Sequence, residues 1–239
     1  MFVLQNKFSH WSVYMLEEKI IDIKEFRLND IVSDASILMI AGRGCKKHFV
    51  IGDIIKHYQN TKIRGIVISP ESNNTYFYNN IKQNEYIYDE YKSDIIKKVL
   101  ERQILILDKS KERAKIGKNT NTKAFIVMDN CLVNKKDRSY QMISELLFNG
   151  RHYHVSYLLT MQYPLGIKPE LRCNFDYIFL FKDESLSNQK RMYEYYAGIF
   201  PNFESFRQVF LQLTSDGCMV IINRGSNNIF DTVMHYKII

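Results

Sequence analysis

The stretch ILMIAGRGCKKHFVIGDII, residues 37–55, joins an apolar run to a second apolar pattern through a short loop with two glycines and two lysines. The first run has the composition of a buried strand, and the apolar residues after the loop recur at helical spacing. A strand, a glycine-containing loop and a helix form the framework of a phosphate loop, because the helix N-terminus and its free N–H groups attract anions. The stretch therefore predicts a phosphate loop in an α/β fold, with an ordinary strand-to-helix turn as the alternative.

The loop departs from the GxxxxGK[ST] pattern that phosphate loops follow. In the best register Lys46 stands at the second glycine, Lys47 at the lysine and His48 at the hydroxyl. Gly42 and Gly44 predict a flexible loop, whereas Lys46 predicts backbone strain because its Cβ stands where glycine is usual. His48 lacks the magnesium-binding hydroxyl, and a neutral imidazole is a poor ligand for that ion. The pattern predicts anion binding through Lys47 with weakened magnesium binding.

Short apolar strands alternate with helical patterns along the rest of the chain. The predicted strands are SILMIA (36–41), RGIVIS (64–69), AFIVMD (124–129), VSYLLTM (155–161), DYIFLF (176–181) and CMVIIN (218–223). Continuous apolar runs of this kind are typical of strands buried on both faces of a parallel sheet. With helices in the crossovers, the sequence predicts an α/β three-layer sandwich with a mainly parallel central sheet.

Polar residues stand at the ends of two predicted strands, where open α/β sheets bind their ligands. Asp129 closes one strand, at the place where nucleotide-hydrolysing folds hold magnesium. Asn130 follows it, and an amide can orient a water molecule but cannot take its proton. Gln162 follows the next strand, where it could contact a terminal phosphate. Turns without a catalytic role are the alternative for both places.

Composition narrows the class of protein. The net charge of +7 fits an anionic partner such as nucleic acid, or a compositional bias. The polar segment 108–123 carries six Lys or Arg residues, and is either a solvated linker or a phosphate-contacting loop. The four cysteines have no paired spacing typical of zinc sites or disulfide scaffolds. Without a leader or a long apolar run, we expect a soluble intracellular protein that is not secreted.

Three segments together resemble the poxvirus-type DNA-packaging ATPases of large cytoplasmic DNA viruses, which are P-loop proteins of the FtsK/HerA superfamily. The segments are IVMDNC (126–131), SELLFNGRHYHVSYLLTMQYPLGIKPELRCNFDYIFLF (144–181) and YEYYAGIFPNFESFRQVFLQLTSDGCMVI (193–221). The resemblance runs from near Ser36 to the C-terminus. It implies a RecA-like P-loop ATPase domain over residues 36–239. Residues 1–35 fall outside the match and are an N-terminal extension, for which packing on the core and a place in a subunit interface are both open.

The resemblance implies a ring or multimer that uses ATP and magnesium to move double-stranded DNA into a capsid. Its partners would be viral capsid or packaging proteins, and its location the host cytoplasm or the virion. The implied phosphate-binding set is Gly42, Gly44, Lys46, Lys47 and His48. The implied catalytic set is Asn130, Gln162, Arg151 and Arg172, either arginine being a candidate to reach a neighbour's nucleotide. The implied magnesium ligand is Asp129.

The family pattern has a glycine and a hydroxyl where this chain has Lys46 and His48, and a second acidic residue where it has Asn130. Losing both features predicts a protein with impaired hydrolysis. Three functions stay open: a DNA-translocating packaging ATPase, a catalytically inactive structural or regulatory paralogue that binds DNA, capsid proteins or an active ATPase, and a nucleotide-binding switch that rarely hydrolyses ATP.

Overall fold

The structure is a computed structural model that describes residues 12–16, 19–70, 78, 87–131, 139–223 and 228–238. Its strands are β1 Ser12–Leu16, β2 Lys19–Asp22, β3 Ser36–Ile40, β4 Arg64–Ile68, β5 Ile87–Tyr88, β6 Ala124–Asp129, β7 Val155–Met161, β8 Tyr177–Leu180, β9 Gly217–Ile222 and β10 Val233–Lys237. Its helices are α1 Lys47–Asn60, α2 Ser93–Ala114, α3 Ser139–Asn149, α4 Pro169–Arg172, α5 Leu186–Tyr196, α6 Phe203–Leu213 and α7 Ile229–Thr232.

A central sheet of eight described strands runs in the order β10-β9-β8-β3-β7-β6-β4-β5. The six strands from β8 to β5 are mutually parallel, and β9 and β10 add an antiparallel edge beside β8. The predicted mainly parallel α/β sheet is confirmed. β9 was predicted as a further parallel strand, but it is antiparallel to β8. The two helices between these strands, α5 and α6, return the chain in the opposite direction.

The two faces of the sheet pack into two separate cores, which explains why the strands are apolar throughout. Leu38 and Ile40 of β3 face one core, and Ile37 and Met39 face the other. Helices α2, α3, α5 and α6 contribute buried residues to the first core, and α1 contributes to the second. The three-layer arrangement follows directly from the period-two alternation of strand side chains.

Only the first half of helix α2 packs against the core. Its buried residues are Ile96, Leu100 and Gln103, all in the first half. Leu105 is 61% exposed, and every described residue from 111 to 119 is exposed. The second half of α2 therefore extends away from the core. None of the described helices is both long and apolar enough to cross a membrane.

The chain before β3 contacts the far edge of the sheet. Ile23 and Phe26 are buried in the two cores, and the backbone N–H of Phe26 donates to the carbonyl of His235 at 2.8 Å. Residues 1–11 and 17–18 lie outside the described residues. The division into an extension, residues 1–35, and a domain, residues 36–239, stays a prediction.

Candidate phosphate-binding site

The loop between β3 and α1 consists of residues 41–46 and turns at a glycine. Gly44 has a φ of 79°, in the left-handed region that glycine adopts without a steric penalty. Lys46 precedes the first helical residue with a φ of −74°, which any residue adopts. The strain predicted for Lys46 is therefore wrong, because the left-handed position of the loop falls on Gly44.

Lys47 and Asp129 form a buried ion pair at the carboxyl ends of the parallel strands. The Lys47 Nζ lies 2.9 Å from Asp129 Oδ1, and the two side chains are 6% and 0% exposed. Lys47 is the first residue of α1, and Asp129 is the last residue of β6. The parallel sheet brings together two residues that are 82 positions apart in sequence.

The Asp129 carboxylate accepts several further hydrogen bonds. The Thr160 hydroxyl donates to Oδ1 at 2.6 Å, and Tyr78 and Ser69 donate to Oδ2 at 3.0 Å and 3.3 Å. His48 Nε2 lies 3.6 Å from Oδ2, a long contact that still favours the ionised carboxylate. Burial alone would raise the pKa of Asp129, but the His48 imidazole, the Lys47 ammonium and the Thr160 hydroxyl outweigh burial and lower it.

Sequence reasoning did not assign the donors Ser69, Tyr78 and Thr160 to this site. Thr160 had a usable signal, since it stands directly opposite Asp129 in the β6–β7 register. Ser69 likewise is the last residue of the predicted strand RGIVIS and follows the observed strand β4 directly. Tyr78 was not singled out, because neither a predicted apolar strand nor the phosphate-loop motif includes it.

The residues at this site do not fit a magnesium ion. A carboxylate offers about four lone-pair directions, and the Asp129 carboxylate already accepts from Lys47, Thr160, Tyr78 and Ser69. His48 contributes an imidazole where a hydroxyl oxygen is usual, and magnesium prefers oxygen ligands. Among the described residues, no group of three or more His, Cys, Asp or Glu side chains is placed to hold a metal ion.

Asn130 and Gln162 follow the two strands that carry Asp129 and Thr160. Asn130 has a φ of 53°, a conformation that asparagine tolerates better than most residues. Its backbone N–H donates to the Thr160 hydroxyl at 3.0 Å. Gln162 is half-buried just beyond the end of β7. The sheet thus brings Lys47, Asn130 and Gln162 together at the carboxyl ends of its parallel strands.

Arg151 lies at the amino ends of the parallel strands, opposite the ends that carry the phosphate loop. It precedes β7 and forms an ion pair with Asp176, which precedes β8 and also accepts from the backbone N–H of Ser36 at 2.8 Å. Burial raises the pKa of Asp176 more than Ser36 and Arg151 lower it. Within one chain Arg151 does not join the phosphate loop, and its action on a neighbour's nucleotide stays a prediction.

Arg172 is held by contacts within its own region of the fold. Its Nε donates to the carbonyl of Ile167 at 3.0 Å, and its guanidinium carbon lies 4.2 Å from the ring centroid of Tyr195. A guanidinium over an aromatic face is a stabilising contact by itself. These contacts give Arg172 a structural role, while its predicted action in trans remains untested.

A cleft of about 540 Å³ borders the outer side of the phosphate loop. It is lined by residues 42–46, 181–184, 214–217 and Ile238. Its volume falls in the range of about 300–1,000 Å³ typical of small-molecule sites. The Cys45 thiol donates to the carbonyl of Lys182 at 3.4 Å and so ties the loop to the end of β8.

Comparisons with known proteins identify viral relatives of unestablished function. The chain is 42% identical over 219 residues to the uncharacterized protein L437 of Acanthamoeba polyphaga mimivirus, covering 90% of this chain and 77% of the relative. It is 29% identical over 218 residues to the uncharacterized protein 075L of Invertebrate iridescent virus 6, covering 91% of this chain and 81% of the relative. A scan against protein-family models returns no match.

Solved structures share the fold at low sequence identity. The genome-packaging NTPase B204 of Sulfolobus turreted icosahedral virus 2, in complex with AMPPCP, is 17% identical with a TM-score of 0.60, covering 86% of this chain and 98% of B204. The cytoplasmic domain of the type VII secretion ATPase EccC of Thermomonospora curvata is 13% identical with a TM-score of 0.56, covering 92% of this chain and 27% of EccC. The fold is thus one that these P-loop ATPases share.

Proposed function

We propose that this chain, which belongs to the family of viral proteins that includes the mimivirus relative, is a nucleotide-binding P-loop protein of viral DNA packaging with impaired ATP hydrolysis. The buried pair of Lys47 and Asp129, 2.9 Å apart at the end of the phosphate loop, carries this proposal. An ordinary strand-to-helix turn does not need a buried ammonium beside a buried carboxylate, because burying charge is costly.

Nucleotide binding is supported by three features of the loop. Lys47 lies in the first turn of α1, where the partial positive charge of the helix N-terminus adds to its own charge. Residues 42–46 can direct backbone N–H groups at a phosphate, and they border the cleft. The proposed ligand is ATP, with its phosphates on the loop and its base and ribose in the cleft.

Impaired hydrolysis is supported by the chemistry of the residue after Asp129. Asn130 stands where a carboxylate would take the proton of the attacking water, and an amide cannot do so. Gln162 can still orient that water, because it follows the neighbouring strand β7. We therefore assign Lys47 to phosphate binding and Gln162 to sensing the terminal phosphate, with slow or absent turnover.

Double-stranded DNA is the proposed macromolecular partner. The second half of α2 and the turn after it expose the basic residues Lys109, Lys111, Arg113, Lys115 and Lys118. Clustered lysines and arginines bind the phosphate backbone without reading sequence. In the proposed assembly several copies surround DNA, with capsid or packaging proteins as further partners and an arginine, Arg151 or Arg172, reaching the next copy.

A restored variant tests whether hydrolysis was lost from a site that is otherwise intact. The variant carries Lys46→Gly, His48→Ser and Asn130→Glu, and DNA-stimulated phosphate release is compared with that of the wild type. We expect the wild type to stay below about one turnover per second and the variant to gain about 100-fold, the effect of a general base. Equal activity in both proteins, or fast turnover by the wild type, contradicts impaired hydrolysis.

The inactive structural or regulatory paralogue remains the second candidate, and Asn130 is the observation that favours it. The two functions differ in nucleotide binding. A packaging protein or switch binds ATP through Lys47, so Lys47→Ala abolishes binding. A purely structural paralogue binds DNA or an active ATPase equally well with and without that substitution, and binds no ATP.

A further inference from the structure

We propose that this site takes a nucleoside triphosphate without a divalent cation, with cationic side chains of the loop in the place of the metal. The inference rests on the proposed nucleotide binding and specifies the form of the ligand. Two independent features support it, namely the hydrogen bonds of Asp129 and the charges on the phosphate loop.

The first feature is that the Asp129 carboxylate already accepts four hydrogen bonds from the protein, which leaves at most the position of Lys47 for a hydrated metal ion. Lys47 and Thr160 donate to Oδ1 at 2.9 Å and 2.6 Å, and Tyr78 and Ser69 donate to Oδ2 at 3.0 Å and 3.3 Å. Two side-chain hydroxyls and a phenol fix the carboxylate independently of Lys47. Even when Lys47 turns toward a phosphate, three donors remain on the carboxylate.

The second feature is that the loop has gained charge where the usual motif has a glycine. Arg43 and Lys46 are both exposed, and no acidic side chain of the described residues lies within 4.0 Å of either. The first turn of α1 contains no acidic residue. Beside the ion-paired Lys47, the loop therefore presents two further cations to an anion bound at the N-terminus of α1.

The acidic residues that line the cleft already have partners of their own. Asp183 accepts from the backbone N–H of Ser185 at 2.8 Å, and Glu184 lies 3.4 Å from Lys182. Asp216 lies 4.0 Å from Lys237 Nζ. None of these three carboxylates lies within 4.0 Å of Arg43 or Lys46, so the two cations remain available to neutralise a triphosphate. Without a metal, neutralisation by exposed cations also predicts strong weakening by salt.

The test is calorimetric titration of ATP into the full chain at fixed ionic strength, once with EDTA and once with excess magnesium chloride. The dissociation constant is expected to be higher in excess magnesium chloride, because magnesium complexes nearly all of the free ATP and leaves little of the metal-free form. Equal or tighter binding with magnesium overturns this inference but leaves the proposed nucleotide binding intact. Absence of binding in both buffers overturns the proposed nucleotide binding, and this inference with it.

Two variants sharpen the result, and neither touches a buried side chain that the fold needs. Arg43→Gln combined with Lys46→Gln is expected to weaken ATP binding in EDTA by tenfold or more. Lys56→Gln, in the helix α1 that follows the loop, is the control and should leave ATP binding unchanged. Inorganic tripolyphosphate as a second probe should show the same loss. Unchanged binding by the double variant contradicts neutralisation by the loop cations.

Discussion

The Lys47 ammonium and the Asp129 carboxylate are both buried, so each group compensates the charge of the other. Removing one partner of such a pair leaves an uncompensated charge, whereas removing both charges costs much less. Thr160 donates to the same carboxylate and limits how far Asp129 can move. The pair therefore links the phosphate loop to β6 in the absence of ligand.

Substitution of Lys47 by Met should lower the free energy of unfolding by about 3 kcal/mol. Adding Asp129→Asn should restore part of that loss, because the buried charge disappears while an acceptor for Thr160 remains. Urea unfolding of the wild type, both single variants and the double variant at pH 7 measures the coupling. Lys56→Met, whose side chain is 66% exposed, is the control and should change stability by less than about 0.5 kcal/mol. Additive losses would contradict a compensating pair.

Acid should remove part of the stability that Asp129 contributes. Its pKa in the folded protein is lowered below the unfolded value of about 3.9, so the folded state favours the ionised form. That contribution is complete above about pH 5 and is lost as the pH falls through the unfolded value toward the folded one. Thermal unfolding between pH 7 and pH 3 should show a smaller acid-induced decrease for Asp129→Asn than for the wild type. An equal decrease in both would show that Asp129 does not contribute.

Some site residues can be predicted from sequence, and others cannot. The strands before Lys47 and Gln162, and the strand that ends at Asp129, are recognisable from their apolar composition. In a parallel sheet the carboxyl ends of these strands lie together, so the common location of the three residues follows from the sequence. Tyr78 reaches Asp129 only through tertiary structure, and no periodicity indicates it. The predicted backbone strain at Lys46 was wrong, because the motif register does not specify which residue of the loop adopts a positive φ.

Helix α2 shows how far sequence patterns define an element. Residues 108–123 were predicted as a solvated linker or a phosphate-contacting loop. The structure extends the helix to Ala114 and leaves its second half without buried residues. The sequence beyond Gln103 has helix-forming residues but contributes no buried residue, so the helix there depends on intrinsic propensity, which is only a weak predictor of helix length.

The two halves of α2 should respond differently to the same substitution. Leu100 is 7% exposed and belongs to the core, whereas Leu105 is 61% exposed. Leu100→Ala is expected to cost about 2–4 kcal/mol because it leaves a cavity, and Leu105→Ala less than about 0.5 kcal/mol. Chemical denaturation of both variants measures the difference. A large loss at Leu105 would mean that another surface covers it in solution.

Across the whole molecule, the charge of +7 is not distributed evenly. The exposed end of α2 concentrates lysines and arginines beyond the core, while the phosphate loop holds its own cations at the carboxyl edge of the sheet. Charge and composition alone could not separate nucleic-acid binding from a compositional bias. The structure makes the two alternatives testable, because it identifies basic residues whose removal leaves the core untouched.

Neutralising Lys109, Lys111 and Arg113 to Gln should weaken binding to double-stranded DNA and reduce its salt dependence. Each lost phosphate contact lowers the slope of log K against log salt by about 0.9, so three contacts lower it by about 2.7. Fluorescence anisotropy at several salt concentrations measures the slope. The control neutralises the exposed Lys56 and Lys97 and should leave the slope unchanged. Equal slopes for all three proteins would contradict a DNA contact at this end of α2.

The most direct test measures ATP retention and phosphate release in one sample. Terminally labelled ATP is incubated with the wild type and with Lys47→Ala, and bound nucleotide and free phosphate are quantified together. The wild type should retain intact ATP and release phosphate at far below about one turnover per second, and Lys47→Ala should retain none. Equal retention by both proteins, no retention by the wild type, or fast phosphate release would contradict a phosphate loop that binds ATP without efficient turnover.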